Sequence, residues 1–528
     1  MASTRPAVLI GLDAAEIDVI ERLLEEGRLP NLAALRRRGR SGRLETRPNA
    51  FLSMVWPTFS NGTGLGRHGW YFNKQWRPEH QRLEYTTGDW LPQEPAWNDL
   101  AAGGLRLGLF DIPFSDAPPP GLDGVYVGGW QCHDDFGRHV APKDTWRTLV
   151  GRFGPPAMKP EFFGVQDGAS LLRQRREALD SLEQTGKIAA HLLRESPFDL
   201  FMVVFGGVHR AGHYLWDLSQ IDADRLSVED QRTLEGANDD LYVAADEALG
   251  RVLDAVTPDA RVLVFALHGM TANDGWPEHF PRLLGQVHAG GPTGAEPKAG
   301  LVYRLKQALP WKAVRQVTTR LPSRINHRLV ALWSARMHDW ASTRYFALPI
   351  DFSGYVRANV RGRDAEGIVD PNDLAAVHAE LQEAFTGFRD LDQGQQVVQG
   401  VERIDDLVGV DATRRRLLPD FAIRWGKVPA TGTTGVRSPK LGEIRWPKGA
   451  RLFSGRSGNH TPNGWYVAAG PDIEHGVSTG SRDSRDVMPT LFRWLGQPVP
   501  ERFEGQPIED LLGDPVSSAQ PERRRASG

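Results

Sequence analysis

The sequence holds a single cysteine, Cys132, in 528 residues, so no disulfide can form within the chain. That fits a reducing compartment, or a fold that needs no covalent bridges. No apolar run approaches the roughly 20 residues that a membrane-spanning helix needs. The short apolar run near the start, Ala7–Leu12, is followed at once by Asp13 and Glu16. A secretory signal needs a longer apolar stretch and a small-residue cleavage site, so a cytoplasmic protein is expected. Neither sign of charge is in excess: 63 Lys and Arg face 66 Asp and Glu, for a net charge of -3. That balance argues against nucleic acid or an anionic membrane as a bulk partner and leaves a small molecule as the expected one. The oligomeric state is not legible. There is no Walker A sequence. Residues 62–69, GTGLGRHG, have the glycines of a dinucleotide loop but follow a helical pattern rather than a strand, so the mechanical context is wrong.

What the sequence does hold is a series of short apolar runs closed by polar residues. After Ala7–Leu12 come residues 107–110, 200–205 and 262–267. Continuous runs of this kind suit strands buried on both faces of a parallel sheet. Helical patterns lie between them, at residues 17–26, 32–38, 171–194 and 234–256. The expected fold class is therefore α/β, a doubly wound, mostly parallel central sheet with helices on both faces. Later strands are expected at 125–129, 346–369, 420–425 and 465–469, and a last helix at 487–495. The domain reading is one catalytic unit over residues 1–514, carrying an Arg-, Leu- and Trp-rich helical insertion at 281–348 and a small cap-like segment at 349–400. Residues 515–528, with the ending PERRRASG, read as a disordered tail.

In open α/β sheets, ligands bind beyond the carboxyl ends of the strands, so the residues that close each run are the ones to inspect. Asp13 follows the first run, the pair His209 and His213 the run at 200–205, and His268 the run at 262–267. Histidines four apart can lie on one side of a helix and share a metal. Alone, such a pair is equally compatible with two surface histidines, and a lone His268 or His460 is more often structural. Trp130 and His133, after a strand, can line a pocket, although Trp130 reads equally well as core.

In order along the chain, GLDAAE, LPNLAAL, VWPTF followed by His68-Gly69, YVRANVRGRDAEGIV, LPDFAIRW and GNHTPNGWYVAAGP resemble the successive blocks of the alkaline phosphatase superfamily, in its branch of type I phosphodiesterases and nucleotide pyrophosphatases. The resemblance runs from Val8 to about Leu512. It implies a phosphoric ester hydrolase, most simply of a phosphodiester or pyrophosphate, with one or two divalent transition metals, zinc before manganese or iron. Position by position, it places His209, His213 and His460 on the first metal, and Asp13, His268 and a serine hydroxyl, Ser53, on the second. Thr58 is the reserve nucleophile. A metal lowers the hydroxyl's pKa so that it attacks phosphorus. Arg357, Arg361 and Arg363 can pair with a substrate phosphate, although such arginines are more often solvated or paired with nearby acids.

Two positions depart from the pattern. His209 stands where the branch carries Asp, and Leu267 where the block Asp-His-Gly carries its Asp. Leucine cannot ligate, and Asp274, Glu278 and His279 just downstream are the candidates to replace it. The departures keep two other readings open: a metal-binding pseudoenzyme, and a one-metal hydrolase or transferase acting on another ester of specialised metabolism. The region of Ser53 lacks the Cys/Ser-x-Pro-x-Arg pattern of formylglycine sulfatases.

Overall fold

The structure is a computed structural model that describes residues 5–86, 90–92, 94–131, 137–159, 164–276, 278–290, 323–348, 350, 354–408, 412–446, 452 and 454–513. Among these residues the largest sheet has nine strands. From one edge to the other they are Gly476–Asp483, Arg40–Glu45, Asn463–Ala469, Arg261–Ala266, Ala7–Leu12, Leu200–Phe205, Arg106–Phe110, Asp123–Gly128 and His139–Ala141. The centre is parallel. Ala7–Leu12 pairs in register with Leu200–Phe205 on one side, Leu12 opposite Phe205, and with Arg261–Ala266 on the other. Ala7–Leu12 and Leu200–Phe205 are buried along their whole length, as strands sandwiched between two helical layers must be. Antiparallel pairing appears only toward the edges, where Asn463–Ala469 joins Arg261–Ala266 and His139–Ala141 joins Asp123–Gly128.

Each face of the sheet has its own apolar layer. On one side Ile17–Glu25, Gly168–Glu195 and Ala237–Leu253 cover Val8, Ile10, Val203 and Val264. Asp167 caps the longest of these helices by accepting from the Ser170 backbone N–H at 2.8 Å. On the other side Val55–Asn61 and Val487–Trp494 cover Leu9, Met202, Val204 and Phe265. The helix expected at 234–256 is two helices, Val228–Glu235 and Ala237–Leu253, meeting at Gly236.

A smaller lobe has its own core. A four-stranded sheet, in the order Tyr345–Ala347, Tyr355–Ala358, Phe421–Trp425, Val398–Arg403, packs with Leu374–Thr386 and Phe280–Ala289 around Phe385, Leu381 and Trp276. Its first hairpin pairs Tyr345 with Ala358. The boundary drawn at 348/349 between a helical insertion and a cap therefore cuts through one sheet: backbone hydrogen bonds tie the two sides. Residues 291–322 of that insertion, the tail at 515–528 and His133 lie outside the described residues.

This lobe is pinned by a buried charge network. The Asp420 carboxylate accepts from both terminal nitrogens of Arg363 at 2.6 and 2.9 Å, from Arg415 at 3.1 Å and from the Ala358 backbone N–H at 2.8 Å. Asp364 accepts from Arg363 at 2.9 Å and from Arg357 at 3.1 Å. Arg357 is fully buried, with its terminal nitrogens on the Leu418 and Arg416 carbonyls. Burial pushes the Asp420 carboxyl up, but the Arg363, Arg415 and Arg357 charges and the Arg363 hydrogen bonds more than offset it and hold it well below the ordinary carboxylate range. Arg357 and Arg363 are thus committed to aspartates inside the fold and are not open to a substrate phosphate, while Arg361 is exposed on the turn that follows. Removing one charge from a buried network leaves its partner uncompensated and typically costs about 3–5 kcal/mol. Asp420→Asn is expected to lower stability by about 3 kcal/mol in urea unfolding. An unchanged midpoint would contradict the network.

Candidate active site

Three adjacent strands of the main sheet deliver the chemistry at their carboxyl ends. Asp13 ends the first strand, its backbone N–H on the Phe205 carbonyl at 3.2 Å. His209 and His213 lie on Gly207–Leu215, which starts directly after Leu200–Phe205 and is buried along its whole length. His268 follows Arg261–Ala266 and opens into the short strand Gly269–Ala272, which pairs antiparallel with Gly458–Thr461, His460 facing Met270. Two glycines let the helix and this ribbon touch. A Cβ on Gly458 would lie 2.4 Å from the Gly212 carbonyl, and one on Gly212 would lie 2.8 Å from the Met270 sulfur. The helix backbone can therefore approach closely enough for His213 and His460 to meet.

The three imidazoles converge on their Nε2 atoms. His209 Nε2 lies 2.8 Å from His460 Nε2 and 3.0 Å from His213 Nε2. Their far sides are held by acceptors. His213 Nδ1 lies 3.0 Å from the Gly458 carbonyl, and His209 Nδ1 lies 2.7 Å from Asp13 Oδ2. A carbonyl can only accept, so His213 Nδ1 carries the proton and its Nε2 turns a lone pair inward, while His209 Nδ1 meets the Asp13 carboxylate in a close contact that lacks hydrogen-bond alignment. Ring nitrogens at this separation need a proton or a cation between them. Protonation is opposed by the setting: burial, then the neighbouring His268, His213 and His209, holds His460 well below its ordinary pKa. Tetrahedral zinc with three imidazoles at 2.0–2.1 Å sets its nitrogens about 3.3 Å apart. The residues present thus fit one divalent ion after a small outward relaxation.

Around this trio, the second oxygen of Asp13, Oδ1, accepts from Trp56 Nε1 at 2.8 Å. His268 is buried, and neither ring nitrogen has a hydrogen-bond partner among the described residues. Its ring stands edge-on to His460 at 4.7 Å between centroids. Burial holds it neutral, with a pKa of about 4 that Asp13 raises and His209 lowers. Ser53 is half-buried on the turn Asn49–Met54, which packs against Gly458–Thr461. Arg456, buried just before the ribbon, is within electrostatic reach of His460.

Other sequence candidates lie elsewhere. Leu267 is buried in the apolar layer with Trp56 and Phe265, and its carbonyl accepts from the Thr46 hydroxyl at 2.7 Å. Glu278 accepts from the Ser454 backbone N–H at 2.7 Å, and His279 stacks on Trp446 at 4.0 Å, both in engagements of their own. Asp274 is a half-buried carboxyl pushed up by burial. Trp130 is core, its ring packed on Trp146 and its Nε1 on Gln184 at 3.2 Å. The Thr58 hydroxyl is engaged within its own helix region, 3.1 Å from both the Met54 carbonyl and His68 Nε2. The Trp70 N–H donates to His68 Nδ1 at 3.0 Å, so Nε2 carries the proton and donates to Thr58, whose own proton goes to Met54. The sequence reading missed Trp56 as the partner of Asp13. The available signal was a tryptophan beside the expected nucleophile, and indole N–H groups seek an acceptor when buried.

The profile of the family described as type I phosphodiesterase / nucleotide pyrophosphatase matches residues 7–409. The chain belongs to this family. It is a hydrolase of phosphoric esters. Solved structures similar to this phosphodiesterase-family chain include phosphonoacetate hydrolase from Sinorhizobium meliloti, in complex with phosphonoformate, at 14% identity over 93% of this chain and 95% of that one, TM-score 0.45. Human ectonucleotide pyrophosphatase / phosphodiesterase 5 aligns at 13% identity over 96% and 99% of the two chains, TM-score 0.46. Wild-type alkaline phosphatase PafA aligns at 13% identity over 97% and 100%, TM-score 0.48. A search of curated proteins finds no match. No helix among the described residues of this family member is long and apolar enough to cross a membrane.

His68, beside the turn that carries Ser53, supplies a pH test of the scaffold. Burial and the Arg414 charge lower its pKa from 6.5 to about 3. The unfolded chain therefore binds a proton that the folded chain refuses. This contribution to stability is full above about pH 6.5 and falls by up to about 1.4 kcal/mol per unit as the pH drops toward 3. His68→Gln keeps a donor to Thr58 and cannot titrate. Its urea midpoint is expected to fall less steeply than wild type between pH 6.5 and 4, and an equal slope would contradict the assignment.

Proposed function

We propose that this chain cleaves a phosphodiester or pyrophosphate with Ser53 as nucleophile, at a divalent ion held by His209, His213 and His460. The observation that carries the reading is the convergence of the Nε2 atoms of His209, His213 and His460 at the end of the sheet, with His213 fixed in the metal-binding tautomer by the Gly458 carbonyl. Three neutral nitrogen donors suit zinc first, with manganese or iron as other candidates. Such an ion supplies Lewis-acid polarisation of the ester oxygens and a lowered pKa for a hydroxyl brought to it.

The chain's own residues do the rest. Ser53 Oγ attacks phosphorus in line as the bond to the leaving oxygen breaks, giving a phosphoserine that water then hydrolyses. The turn Asn49–Met54 holds Ser53 beside the strand of His460. His268, neutral and with both ring nitrogens unclaimed by the described residues, is placed to hydrogen-bond a substrate oxygen. Arg456 adds positive charge on the side of His460, which favours an anionic substrate. A diester suits the site better than a monoester dianion, because Arg357 and Arg363 are engaged with aspartates and do not add to the anion-binding charge. One cysteine and no possible intrachain disulfide suit the reducing cytoplasm.

The test is a panel of bis-aryl phosphate, aryl phosphate and aryl sulfate. Wild type is expected to cleave the diester fastest. Ser53→Ala should lose at least about 100-fold in kcat, and His213→Ala should lose both activity and bound metal. Full activity in Ser53→Ala would remove the serine from the mechanism, and full activity in His213→Ala would remove the histidine site.

A further inference from the structure

The two departures from the family pattern, His209 and Leu267, have a common explanation in the geometry around Asp13. We propose that this site holds a single ion, and that Asp13 is not a metal ligand but the positioning residue that orients His209. This rests on the proposed metal reading and narrows it.

Asp13 is 1% exposed, and both of its oxygens are taken up by protein groups: Oδ2 lies against His209 Nδ1 at 2.7 Å, and Oδ1 accepts from Trp56 Nε1 at 2.8 Å. Neither group can easily leave. Trp56 is wedged in the apolar layer, edge-on to Phe59 at 5.6 Å and against Phe265 at 6.1 Å. A Cβ on Gly11 would lie 2.9 Å from its ring, so the strand itself backs the indole. His209 lies on a buried helix whose other end carries His213. An imidazole ligand, unlike a carboxylate, has a second ring nitrogen that must be satisfied in a buried site. A histidine at position 209 therefore recruits the carboxylate across the strand pair, and the Asp13 charge, held against Nδ1, orients the ring and raises its basicity.

The position of Leu267 completes the argument. A second dication about 4 Å from the first is tolerable only if anionic ligands offset the repulsion between them. Here the first site is three neutral imidazoles, and the carboxylate that would sit at 267 is a leucine packed in the core. The other nearby acids are turned away. Glu16 accepts from the Ile17 N–H at 3.1 Å and from the Thr461 hydroxyl at 2.8 Å, and Thr461 projects from the face of its strand opposite His460. Glu278 is bound to the Ser454 backbone. Of Asp13, Glu16 and Glu278, Asp13 is the carboxylate that lies against the histidine trio, and it acts through His209.

The test is metal binding by the full chain, read as metal content by plasma mass spectrometry and as the visible spectrum of the cobalt(II) form. Wild type is expected to bind one ion per chain with the intense visible bands of four-coordinate cobalt. Asp13→Asn keeps a group able to accept from Trp56 and His209. It is expected to bind one ion still, about 10–100-fold more weakly in competition with a chelator, with shifted cobalt bands that a merely structural role would leave in place. Two ions in wild type and one, held at wild-type affinity, in Asp13→Asn would overturn the inference while leaving the metal reading intact. No ion in wild type under metal excess would overturn the metal reading itself. If Asp13→Asn fails to fold, the wild-type count of one or two still decides.

Discussion

His209 Nε2 cannot face the Nε2 atoms of His460 and His213 at 2.8 and 3.0 Å without a proton or a cation between them. The convergence of His209, His213 and His460 sets the rest of the active region in order. The close approach of Gly212 and Gly458 brings the rings together. The ribbon of Gly269–Ala272 and Gly458–Thr461 carries His460 over the end of the sheet and places His268 edge-on beside it. The Gly458 carbonyl and the Asp13 carboxylate hold the outer nitrogens. A cation among the three Nε2 atoms would make these contacts mutually supportive.

The scaffold was legible where burial leaves a pattern in the chain. The runs at 107–110, 200–205 and 262–267 were visible because strands covered on both faces are apolar throughout, and each coincides with a strand to within a residue at either end. The long helix at 171–194 lies within Gly168–Glu195 for the same kind of reason. Boundaries set by single backbone events were harder. Gly236 divides one periodic stretch into two helices, and periodicity does not register such an interruption. The tie between the segments on either side of position 349 was not legible, because the pairing of Tyr345 with Ala358 is a hydrogen-bond relation with no trace in composition.

The same limit applies to the candidate site. Asp13, His209, His213, His268 and His460 could be singled out because each ends a strand or lies in a recognisable block, and the structure brings all five to one end of the sheet. What each does was less accessible. The contact of Asp13 with His209 depends on the register that sets Leu12 opposite Phe205, and spacing along the chain says nothing of it. Two of the arginines near 360 take the commoner of the two roles that the sequence left open. Their types suit phosphate, but Asp364 and Asp420 take Arg357 and Arg363, because a charge inside a small lobe must find its partner there. Thr58 likewise has the right chemistry and the wrong orientation, its hydroxyl closing a bond chain from His68 to the Met54 carbonyl.

The central claim is that one ion sits among three histidine nitrogens and that Asp13 stands behind His209. Anomalous X-ray scattering at a metal absorption edge, on crystals grown with zinc, tests it most directly. The account predicts one peak, bonded to Nε2 of His209, His213 and His460, with the Asp13 oxygens still on His209 and Trp56. A second peak bonded to Asp13 and His268 would contradict it.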